Sequence, residues 1–278
     1  MKIGFIGLGN MATAIIGGLL REDTALSSED GNVTVITAAN IIGSAKTEAT
    51  RQKRAEQFGI AVTASNREVA EAADVLVLAV KPQFFSEVIA EIRDAVSANT
   101  LVISIAAGLT LERIAGLFDR NVTAMRLIRC MPNTPALINA GCTAVVPGPG
   151  ATEADEALCL RLMESFGRAI VIPERLMDAA SATAGSSPAF VFMFIEALAD
   201  GAVAAGMPRA QAYEFAAAAV AGSAQLVLET GRHPGDLKDM VCSPGGTTIE
   251  GVRALEEGSF RASVMNAISA CVEKAKAL

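Results

Sequence analysis

The chain has 278 residues, of which 51% are apolar and 4% aromatic, and its formal net charge is −7 from 23 basic and 30 acidic residues. This length accommodates one large domain or two medium ones, and the apolar share supports a core built from aliphatic side chains. The sequence contains no basic stripe or run of Lys and Arg, which argues against nucleic-acid binding, because that affinity depends on clustered cations.

The five cysteines are an odd number and include no Cys-x-x-Cys pair, which in a chain of this length is typical of free thiols in a reducing compartment. The first residues, MKIGFIGLGN, enter a strand pattern directly and lack the apolar region of a signal peptide. No uncharged apolar run reaches the ~18 residues of a membrane span. We therefore expect a cytoplasmic protein with no membrane segment, and the absence of a His/Cys cluster predicts no metal site.

Short apolar runs alternate with helical patterns over the first part of the chain, which indicates βαβ units and a mostly parallel sheet. The predicted strands are Ile3–Ile6, Val33–Thr37, Val75–Val80, Leu101–Ile105, Val122–Ile128 and Thr143–Val146. The predicted helices between them are Met11–Leu20, Lys46–Phe58, Gln83–Asp94, Thr110–Leu117 and Glu153–Phe166.

After one last apolar run, AIVIP, the pattern becomes entirely helical. We predict an α/β fold with a Rossmann-type doubly wound domain over residues 1–167 and an all-α domain over 168–278. The predicted helix Ala189–Ala205 is apolar on nearly every side, so it must be buried all round. A subunit interface is the favoured place for that burial, and the interior of its own domain is the alternative.

The first glycine motif is Gly7-Leu8-Gly9-Asn10-Met11-Ala12, between the first strand and the first helix. In this dinucleotide fingerprint Gly7 permits the tight turn, Gly9 lets the backbone approach a pyrophosphate, and Ala12 allows close packing. The N–H groups of the helix then face the phosphates. The alternative is a glycine turn with a structural role only.

The predicted second strand, VTVITAAN, ends without the carboxylate that usually binds the ribose of NAD. Asn40, Ser44, Lys46 and Thr47 follow and suit a 2′-phosphate, which favours NADPH, with NADH as the alternative. Further cofactor contacts are predicted at the ends of the strands Val75–Val80 and Leu101–Ile105, where small residues leave room for the cofactor. These residues are Ala79, Val80, Lys81, Pro82, Ala106 and Ala107.

Few side chains in this chain are suited to acid–base catalysis. His233 is the one histidine and Tyr213 the one tyrosine. For four residues we favour a role other than catalysis. His233 is expected to cap a turn and Tyr213 to lie on a helix face. Cys242 is expected to be an inert thiol and Lys81 to contact the cofactor. A hydride-transfer enzyme without a strong acid or base needs an electrophilic substrate such as an iminium, for which the protein supplies position and a cofactor.

Four segments together resemble the pyrroline-5-carboxylate reductase family. They are IGFIGLGNMATAIIGGL at the start, RCMPNTPALINAG at 129–141, AGSSPAFVFMFIEALADGAVAAGMPR at 184–209, and LKDMVCSPGGTTIEGVRALEEGSFRASVMNAISA near the end. They occur in the family's order over nearly the whole chain, and the last of them is the most specific.

The resemblance implies a Rossmann domain, a helical dimerisation domain, homodimers and, as a further assembly, a decamer of five dimers. It implies hydride transfer from NADPH to L-1-pyrroline-5-carboxylate, giving L-proline. It assigns the substrate carboxylate to Gly245, Gly246, Thr247 and Thr248, where free N–H groups at a helix N-terminus suit an anion. Thr248 would also contact the ring nitrogen, with Ser243 as a second catalytic candidate.

The family's cofactor pattern further assigns residues 6–11, from Ile6 to Met11, together with Asn66, Val80, Lys81 and Ala107. Three departures stand out: a polar loop at Asp23–Asn32, no Arg or Ser pair after the predicted second strand, and Met240 where some relatives have Asn. The alternatives are a β-hydroxyacid dehydrogenase, which needs a lysine that the helix Ala189–Ala205 lacks, and a regulator that binds NADPH without turnover.

Overall fold

The structure is a computed structural model that describes residues 1–21, 25–27 and 33–276. The contacts between residues divide it into two compact units, one formed by Met1–Gly185 with residues 274–276 and the other by Ser186–Glu273. The predicted polar loop at 23–32 falls largely outside the described residues.

The larger unit contains ten described strands, eight of them in one sheet. The strands are β1 (Ile3–Ile6), β2 (Ala25–Ser27), β3 (Val33–Val35), β4 (Ile41–Ser44), β5 (Ala61–Thr63), β6 (Val75–Leu78), β7 (Leu101–Ser104), β8 (Leu127–Met131), β9 (Gly141–Pro147) and β10 (Gly167–Val171). The sheet order is β10-β9-β8-β7-β6-β1-β4-β5. Every described pair in it is parallel except β8 with β9.

The prediction that Val33–Thr37 is the second strand of this sheet is wrong. Residues Val33–Val35 pair with β2 in a separate antiparallel ribbon, and β4 is the parallel neighbour of β1, with Ile3 opposite Ile41 and Ile6 opposite Ser44. All four residues of β4 are buried, and Gly43 contacts Leu8 so closely that an added Cβ would lie 2.6 Å from Leu8 Cδ2. The short sequence IIGS therefore forms the strand beside β1, the position that the longer apolar run was expected to occupy.

Seven α-helices accompany the sheet in the described part of this unit. They are α1 (Asn10–Leu19), α2 (Glu48–Phe58), α3 (Asn66–Ala72), α4 (Phe85–Ile92), α5 (Leu111–Leu117), α6 (Glu153–Glu164) and α7 (Met177–Ala180). Side-chain caps fix the start of several: the hydroxyls of Thr47, Ser65 and Thr110 accept hydrogen bonds from Thr50, Glu68 and Arg113 backbone N–H groups. Such caps typically stabilise a helix by about 1 kcal/mol each.

Two apolar clusters cover the two faces of the sheet. Alternate residues of β1, Ile3 and Phe5, belong to one cluster, while Ile6 belongs to the other. The strands β1, β6 and β7 are buried at every position, as expected for parallel strands that have helices on both sides. This doubly wound arrangement confirms the predicted α/β fold class and directs the carboxyl ends of β1, β4, β5 and β6 to one edge.

The second unit is entirely helical. Its helices are α8 (Ser187–Ala204), α9 (Arg209–Thr230), α10 (Pro234–Val241), α11 (Thr247–Glu257) and α12 (Phe260–Lys276), and a π-helical segment, Ser181–Ser186, precedes α8. The contact between α8 and α9 fully buries three alanines, Ala199, Ala212 and Ala216, and Ile195, Val203 and Met207 pack against them partly buried. Many of the large apolar residues of this unit lie on its surface, whereas Leu237 is buried.

Exposed apolar side chains are concentrated in the helical unit. Phe192 and Met193 on α8 are 62% and 68% exposed, and Phe215 on α9 and Met265 on α12 are similarly open. Within this chain α8 is thus not buried inside its own domain, which removes the alternative to a subunit interface. The segment Glu174–Ala204 is long and apolar enough to cross a membrane by length and composition alone, and 6% of its most apolar 18 residues are buried.

The two units divide after Gly185, later than the boundary predicted after Gly167. The reason is that β10 pairs with β9 from Gly167 to Val171 and so completes the edge of the sheet. The assignment of cofactor binding to residues 1–167, and of substrate binding and dimerisation to 168–278, stays a prediction.

Candidate functional site

A cavity of about 490 Å³ lies at the carboxyl edge of the sheet in the larger unit. It is lined by Gly7, Ser44, Ala45, Lys46, Ala64, Asn66, Ala79, Val80, Lys81, Phe84, Glu87, Val88 and Glu91. Strand order reverses here, because the chain proceeds from β1 to β4 and β5 on one side and to β6 and β7 on the other. In open α/β sheets such a switch point is the place where nucleotides bind.

Gly7 shapes the floor of this cavity. Its φ of +95° is a conformation that residues with a side chain rarely adopt. An added Cβ would lie 2.9 Å from both the Ala79 carbonyl oxygen and Val80 Cγ1. The Gly7 N–H donates to the Ser44 carbonyl at 3.1 Å, which ties the turn to β4. The residues present therefore leave the close backbone approach that a dinucleotide pyrophosphate requires.

Helix α1 starts directly after this turn. Gly9 is its N-cap and provides no side-chain cap, and the first turn of the helix carries no acidic residue. An added Cβ on Gly9 would meet nothing within 4 Å, so the space beside it is open. The unpaired N–H groups of the first helical turn suit an anion at this end, and Ala12 is buried against the sheet as the fingerprint requires.

Three polar side chains form a connected chain across the cavity wall. Ser44 Oγ donates to Asn66 Oδ1 at 2.7 Å, and Asn66 Nδ2 donates to Glu91 Oε2 at 2.7 Å. They come from the end of β4, the first residue of α3 and the last turn of α4. Asn66 is therefore an ordered part of the cavity wall.

Two arginines of α2 brace the loops beside the cavity. Arg51 Nη1 donates to the carbonyls of Ala45 at 2.7 Å and Lys46 at 3.2 Å, and its guanidinium forms an ion pair with Glu48. Arg54 Nε donates to the Leu8 carbonyl at 3.4 Å. The two arginines fix the backbone around the positions where a nucleotide would sit, and neither was singled out by the sequence motifs.

The structure brings five of the predicted cofactor residues into the cavity lining: Gly7, Asn66, Ala79, Val80 and Lys81. Ser44 and Lys46, predicted for the 2′-phosphate, also line it. The other lining residues were missed: Ala45 and Ala64 in the loops after β4 and β5, Phe84 in the turn before α4, and Glu87, Val88 and Glu91 on α4. The last three reach the cavity only through the packing of α4. The cofactor roles of all these residues stay predictions.

Asn40 is the exception, and its prediction as a cofactor contact is corrected. It precedes β4 and so lies at the amino end of the strand, the edge opposite the cavity. Its Oδ1 accepts from the Thr37 N–H at 3.0 Å and its Nδ2 donates to the Met1 carbonyl at 3.1 Å. The error follows from the wrong second strand, since Asn40 was placed after that strand.

The remaining predicted cofactor residues do not line the cavity. Ile6 is buried in the sheet and Leu8 packs under Gly43, so their side chains are not available to a ligand in the cavity. Gly9, Asn10 and Met11 form the start of α1, and Pro82 begins a 3₁₀ turn after Lys81. Ala106 is buried and Ala107 exposed after the end of β7.

The second glycine motif starts α11 in the helical unit. Gly245 has a φ of +68°, and Gly246, the N-cap of α11, has no side-chain cap. The Gly246 N–H donates to the Ser243 carbonyl at 3.0 Å. Thr247 and Thr248, the first two helical residues, are exposed. The start of α11 therefore presents open N–H groups and hydroxyls, the arrangement expected of an anion site.

The acidic residue near the start of α11 is paired with a basic side chain of the same helix. Glu250 lies in the first turn of α11, where a carboxylate would repel a bound anion. Arg253 Nη2 donates to Glu250 Oε2 at 2.6 Å, and Nη1 reaches Glu257 at 2.9 Å. This pairing reduces the repulsion that Glu250 would exert on an anion at the start of α11.

His233 caps a helix. Its Nδ1 accepts from the Gly235 N–H at 3.0 Å at the start of α10, so the favoured turn-cap interpretation is confirmed. Tyr213 is 42% exposed on α9, and the Arg209 guanidinium lies 5.4 Å from its ring centroid. Among the described residues, no group of three or more His, Cys, Asp or Glu side chains is arranged to hold a metal ion.

Asn133, in the segment RCMPNTPALINAG, connects the sheet to the π-helical segment. Its Oδ1 accepts from the Cys142 N–H at 2.8 Å and its Nδ2 donates to the Ala184 carbonyl at 2.9 Å. A π-helix leaves its carbonyls out of the usual hydrogen-bond register, so this side chain stabilises an irregular turn. The motif thus has a positioning role that the sequence alone did not reveal.

Comparison with known proteins shows which family the chain resembles. Residues 174–278 match the family model described as pyrroline-5-carboxylate reductase dimerisation, and residues 2–108 match that described as NADP oxidoreductase coenzyme F420-dependent. The chain is 50% identical over 277 residues to pyrroline-5-carboxylate reductase of Escherichia coli (strain K12), with 100% of this chain and 98% of that protein covered.

The chain belongs to the pyrroline-5-carboxylate reductase family.

Family members from distant organisms agree along the whole chain. The Methanosarcina acetivorans reductase is 40% identical, with 100% of this chain and 97% of that protein covered. The solved pyrroline-5-carboxylate reductase of Coxiella burnetii has a TM-score of 0.89 at 32% identity, covering 99% of this chain and 97% of that one. The Plasmodium falciparum pyrroline carboxylate reductase, solved with NADP bound, has a TM-score of 0.81 at 30% identity, with 100% and 97% covered.

Proposed function

We propose that this protein is an NADPH-dependent pyrroline-5-carboxylate reductase. It transfers hydride to the C=N bond of L-1-pyrroline-5-carboxylate and forms L-proline, the last step of proline biosynthesis. The observation that carries this proposal is the match with curated reductases of that name over 100% of this chain. Because both units are included, the match covers the cofactor cavity and the glycine-rich start of α11 together.

NADPH is the proposed hydride donor, with NADH as a poorer alternative. The cavity at Gly7 supports a dinucleotide, and Lys46 at its rim supplies a cation for a 2′-phosphate. No carboxylate stands at the end of β4, since Ser44 is its last residue and Ala45 and Lys46 follow, where NAD-selective folds usually have an acid. The NADP bound to the Plasmodium falciparum relative agrees with this choice of cofactor.

The substrate carboxylate is proposed to bind the N–H groups at Gly245, Gly246, Thr247 and Thr248. A helix N-terminus and a glycine without Cβ offer an anion both charge and close approach. Thr248 Oγ1 is proposed to donate a hydrogen bond to the ring nitrogen, with Ser243 completing the loop. Bound NADPH supplies the hydride, so the chain has only to orient the imine and support the proton at nitrogen.

The sparse acid–base equipment of the chain agrees with this reaction. The one histidine caps a helix and the one tyrosine is partly exposed on α9. An imine can take its proton from water before hydride arrives, and the positioning of substrate and cofactor then provides the catalysis.

The active form is proposed to be a homodimer built on the helical unit. The exposed apolar side chains of α8, α9 and α12 supply the surface, and the family model over residues 174–278 describes dimerisation. The finer assembly proposed is a decamer of five dimers. Light scattering would distinguish a mass of twice 28.6 kDa from one ten times that monomer mass.

The protein is proposed to act in the cytoplasm without binding membrane or nucleic acid. The apolar helix α8 contains Glu196 and Asp200, and burial against a second copy accounts for its hydropathy. Five thiols without a disulfide among the described residues suit a reducing compartment. Fractionation of cell extracts would test this: recovery with the membrane pellet after a salt wash would contradict it.

The deciding experiment is NADPH oxidation by the purified protein with pyrroline-5-carboxylate, run beside NADH and with proline measured as product. We expect rapid NADPH oxidation and stoichiometric proline. Thr248→Ala is expected to lower kcat/KM by about 10- to 100-fold through loss of one hydrogen-bond donor, while Thr248→Ser retains most activity.

Folded protein that binds NADPH but gives no turnover with either cofactor would overturn the proposal in favour of a regulator. Equal activity of Thr248→Ala and wild type would leave the reductase standing but remove Thr248 from its mechanism.

A further inference from the structure

The hydrogen-bonded chain Ser44–Asn66–Glu91 joins three elements that are distant in sequence. Both of its bonds are 2.7 Å long, and all three residues line the cofactor cavity. Ser44 is 1% exposed at the carboxyl end of β4, whereas Glu91 is exposed on α4. The Glu91 carboxylate is therefore connected to the buried Ser44 hydroxyl through the Asn66 amide.

The direction of each hydrogen bond follows from the chemistry of the two ends. The Glu91 carboxylate can only accept, so Asn66 must turn its amide nitrogen toward it. The Asn66 carbonyl oxygen then faces Ser44 and accepts the hydroxyl proton. Glu91 thus determines which way the Asn66 amide is oriented, and through it the direction of the Ser44 hydroxyl.

This orientation leaves two specific groups for a ligand. The Ser44 hydroxyl donates its hydrogen bond to Asn66, so its oxygen can only accept from a ligand, and Asn66 Nδ2 has a second N–H beyond the one bonded to Glu91. An acceptor beside a donor matches a ribose hydroxyl, which both donates and accepts. A phosphate, which only accepts, is poorly matched to the Ser44 lone pairs and to the neighbouring Glu87 carboxylate.

We infer that Glu91 is a positioning residue for the adenosine ribose: it locks the Asn66 amide so that Ser44 and Asn66 together hold a ribose hydroxyl common to NADPH and NADH. This inference rests on the proposed function, since it takes the cavity as the cofactor site. The 2′-phosphate of NADPH then binds a different residue, Lys46, on the loop after β4. Affinity for the ribose and preference for NADPH are in this way carried by different residues.

The test compares Glu91→Ala with Glu91→Gln in steady-state kinetics with NADPH and with NADH. Glu91→Ala frees the amide and is expected to raise the KM of both cofactors by the same factor, about 5- to 10-fold, with kcat within about twofold of wild type. Glu91→Gln keeps an acceptor oxygen for Asn66 and is expected to stay within about threefold of wild type in KM.

Two further variants separate orientation from charge. Glu87→Ala removes a carboxylate from the same cavity without touching the Asn66 amide, so it should not reproduce the weakened binding of Glu91→Ala. Lys46→Ala should lower the preference for NADPH over NADH, which Glu91→Ala leaves unchanged. The exposed Glu112→Gln, on α5 and outside the cavity, is the matched control with wild-type kinetics.

A double-mutant cycle with Asn66→Ala gives the decisive result. If Glu91 acts through Asn66, Glu91→Ala adds no further loss in the Asn66→Ala background. Additive losses, identical behaviour of Glu91→Ala and Glu91→Gln, or a changed NADPH/NADH ratio in Glu91→Ala would each overturn the inference. Wild-type protein that binds neither cofactor would instead overturn the proposed function.

Discussion

Gly7 forms the turn between β1 and α1, and both its backbone and its surroundings exclude a side chain. Its φ is +95°, and an added Cβ would lie 2.9 Å from the Ala79 carbonyl oxygen. Gly7→Ala is therefore expected to cost about 1–3 kcal/mol of folding free energy and to weaken NADPH binding at least about tenfold, because the turn must move into the cavity. Chemical denaturation and NADPH fluorescence titration would measure the two effects.

The matched control is Gly116→Ala, in the last turn of α5. An added Cβ there meets nothing within 4 Å, and the residue is helical. We expect equal or slightly greater stability, because alanine favours a helix by up to about 1 kcal/mol over glycine, and unchanged NADPH binding. Wild-type affinity in Gly7→Ala would show that the glycine turn does not contact the cofactor.

At the scale of single elements, the start of α6 is fixed by one buried carboxylate. Asp155 is 1% exposed, accepts from Arg126 Nη2 at 2.6 Å, and forms a capping box with Thr152. Burial alone would raise the pKa of Asp155, but the hydrogen bonds from Arg126 and Thr152 outweigh it and hold that pKa below its ordinary value. The carboxylate therefore favours the folded state in its ionised form.

A depressed pKa predicts the sign of the pH dependence. The stability that Asp155 contributes is fully present above the ordinary aspartate pKa of about 3.9 and is lost as pH falls below it toward the folded-state value. Asp155→Asn should lower the free energy of unfolding by about 3 kcal/mol at pH 7, and the gap to wild type should close below about pH 4. Urea denaturation at fixed protein concentration across pH 2–7 would measure it; a gap independent of pH would contradict the ionic account.

The elements also show where sequence patterns suffice and where they fail. Strands such as Leu101–Ser104 were predictable because buried parallel strands are continuous apolar runs. The strand Ile41–Ser44 was missed because a four-residue run containing glycine carries little pattern, while the longer VTVIT run belongs to a side ribbon. Pairing partners decide between such runs, and pairing is a tertiary property.

The candidate site likewise contains residues that the sequence predicts and residues that it does not. Gly7, Lys81 and Ala79 follow from a local motif and from strand ends, so the sequence predicts them. Glu87 and Glu91 reach the cavity only through the packing of α4, and Asn133 reaches Ala184 across 51 residues of chain. Such contacts leave no local pattern, so sequence reasoning had no means of finding them.

At the scale of the whole molecule, the exposed apolar surface of the helical unit requires a partner. Phe192 is 62% exposed and Met193 68% exposed in the single chain. Phe192→Glu is expected to shift the protein toward its 28.6 kDa monomer or to make it insoluble, because it would place a charge in an apolar interface. Light scattering would measure the mass, and the milder Phe192→Ala should weaken assembly without loss of folding.

Lys53→Glu, on the exposed face of α2 in the larger unit, serves as the control and should keep the wild-type mass. A folded Phe192→Glu protein with the wild-type oligomeric mass would remove this face of α8 from the interface.

The Ser44–Asn66–Glu91 chain has a consequence for redesign of the enzyme. The usual way to convert such a fold to NADH is to install an acid at the end of the strand beside β1, which here means Ser44→Asp. That change would leave Asn66 between two carboxylates, with its carbonyl oxygen facing one of them and no proton to share. A conversion to NADH by this route must therefore replace Glu91 together with Ser44. In a library of single substitutions at Ser44, where Glu91 is still present, Ser44→Asp would not be recovered.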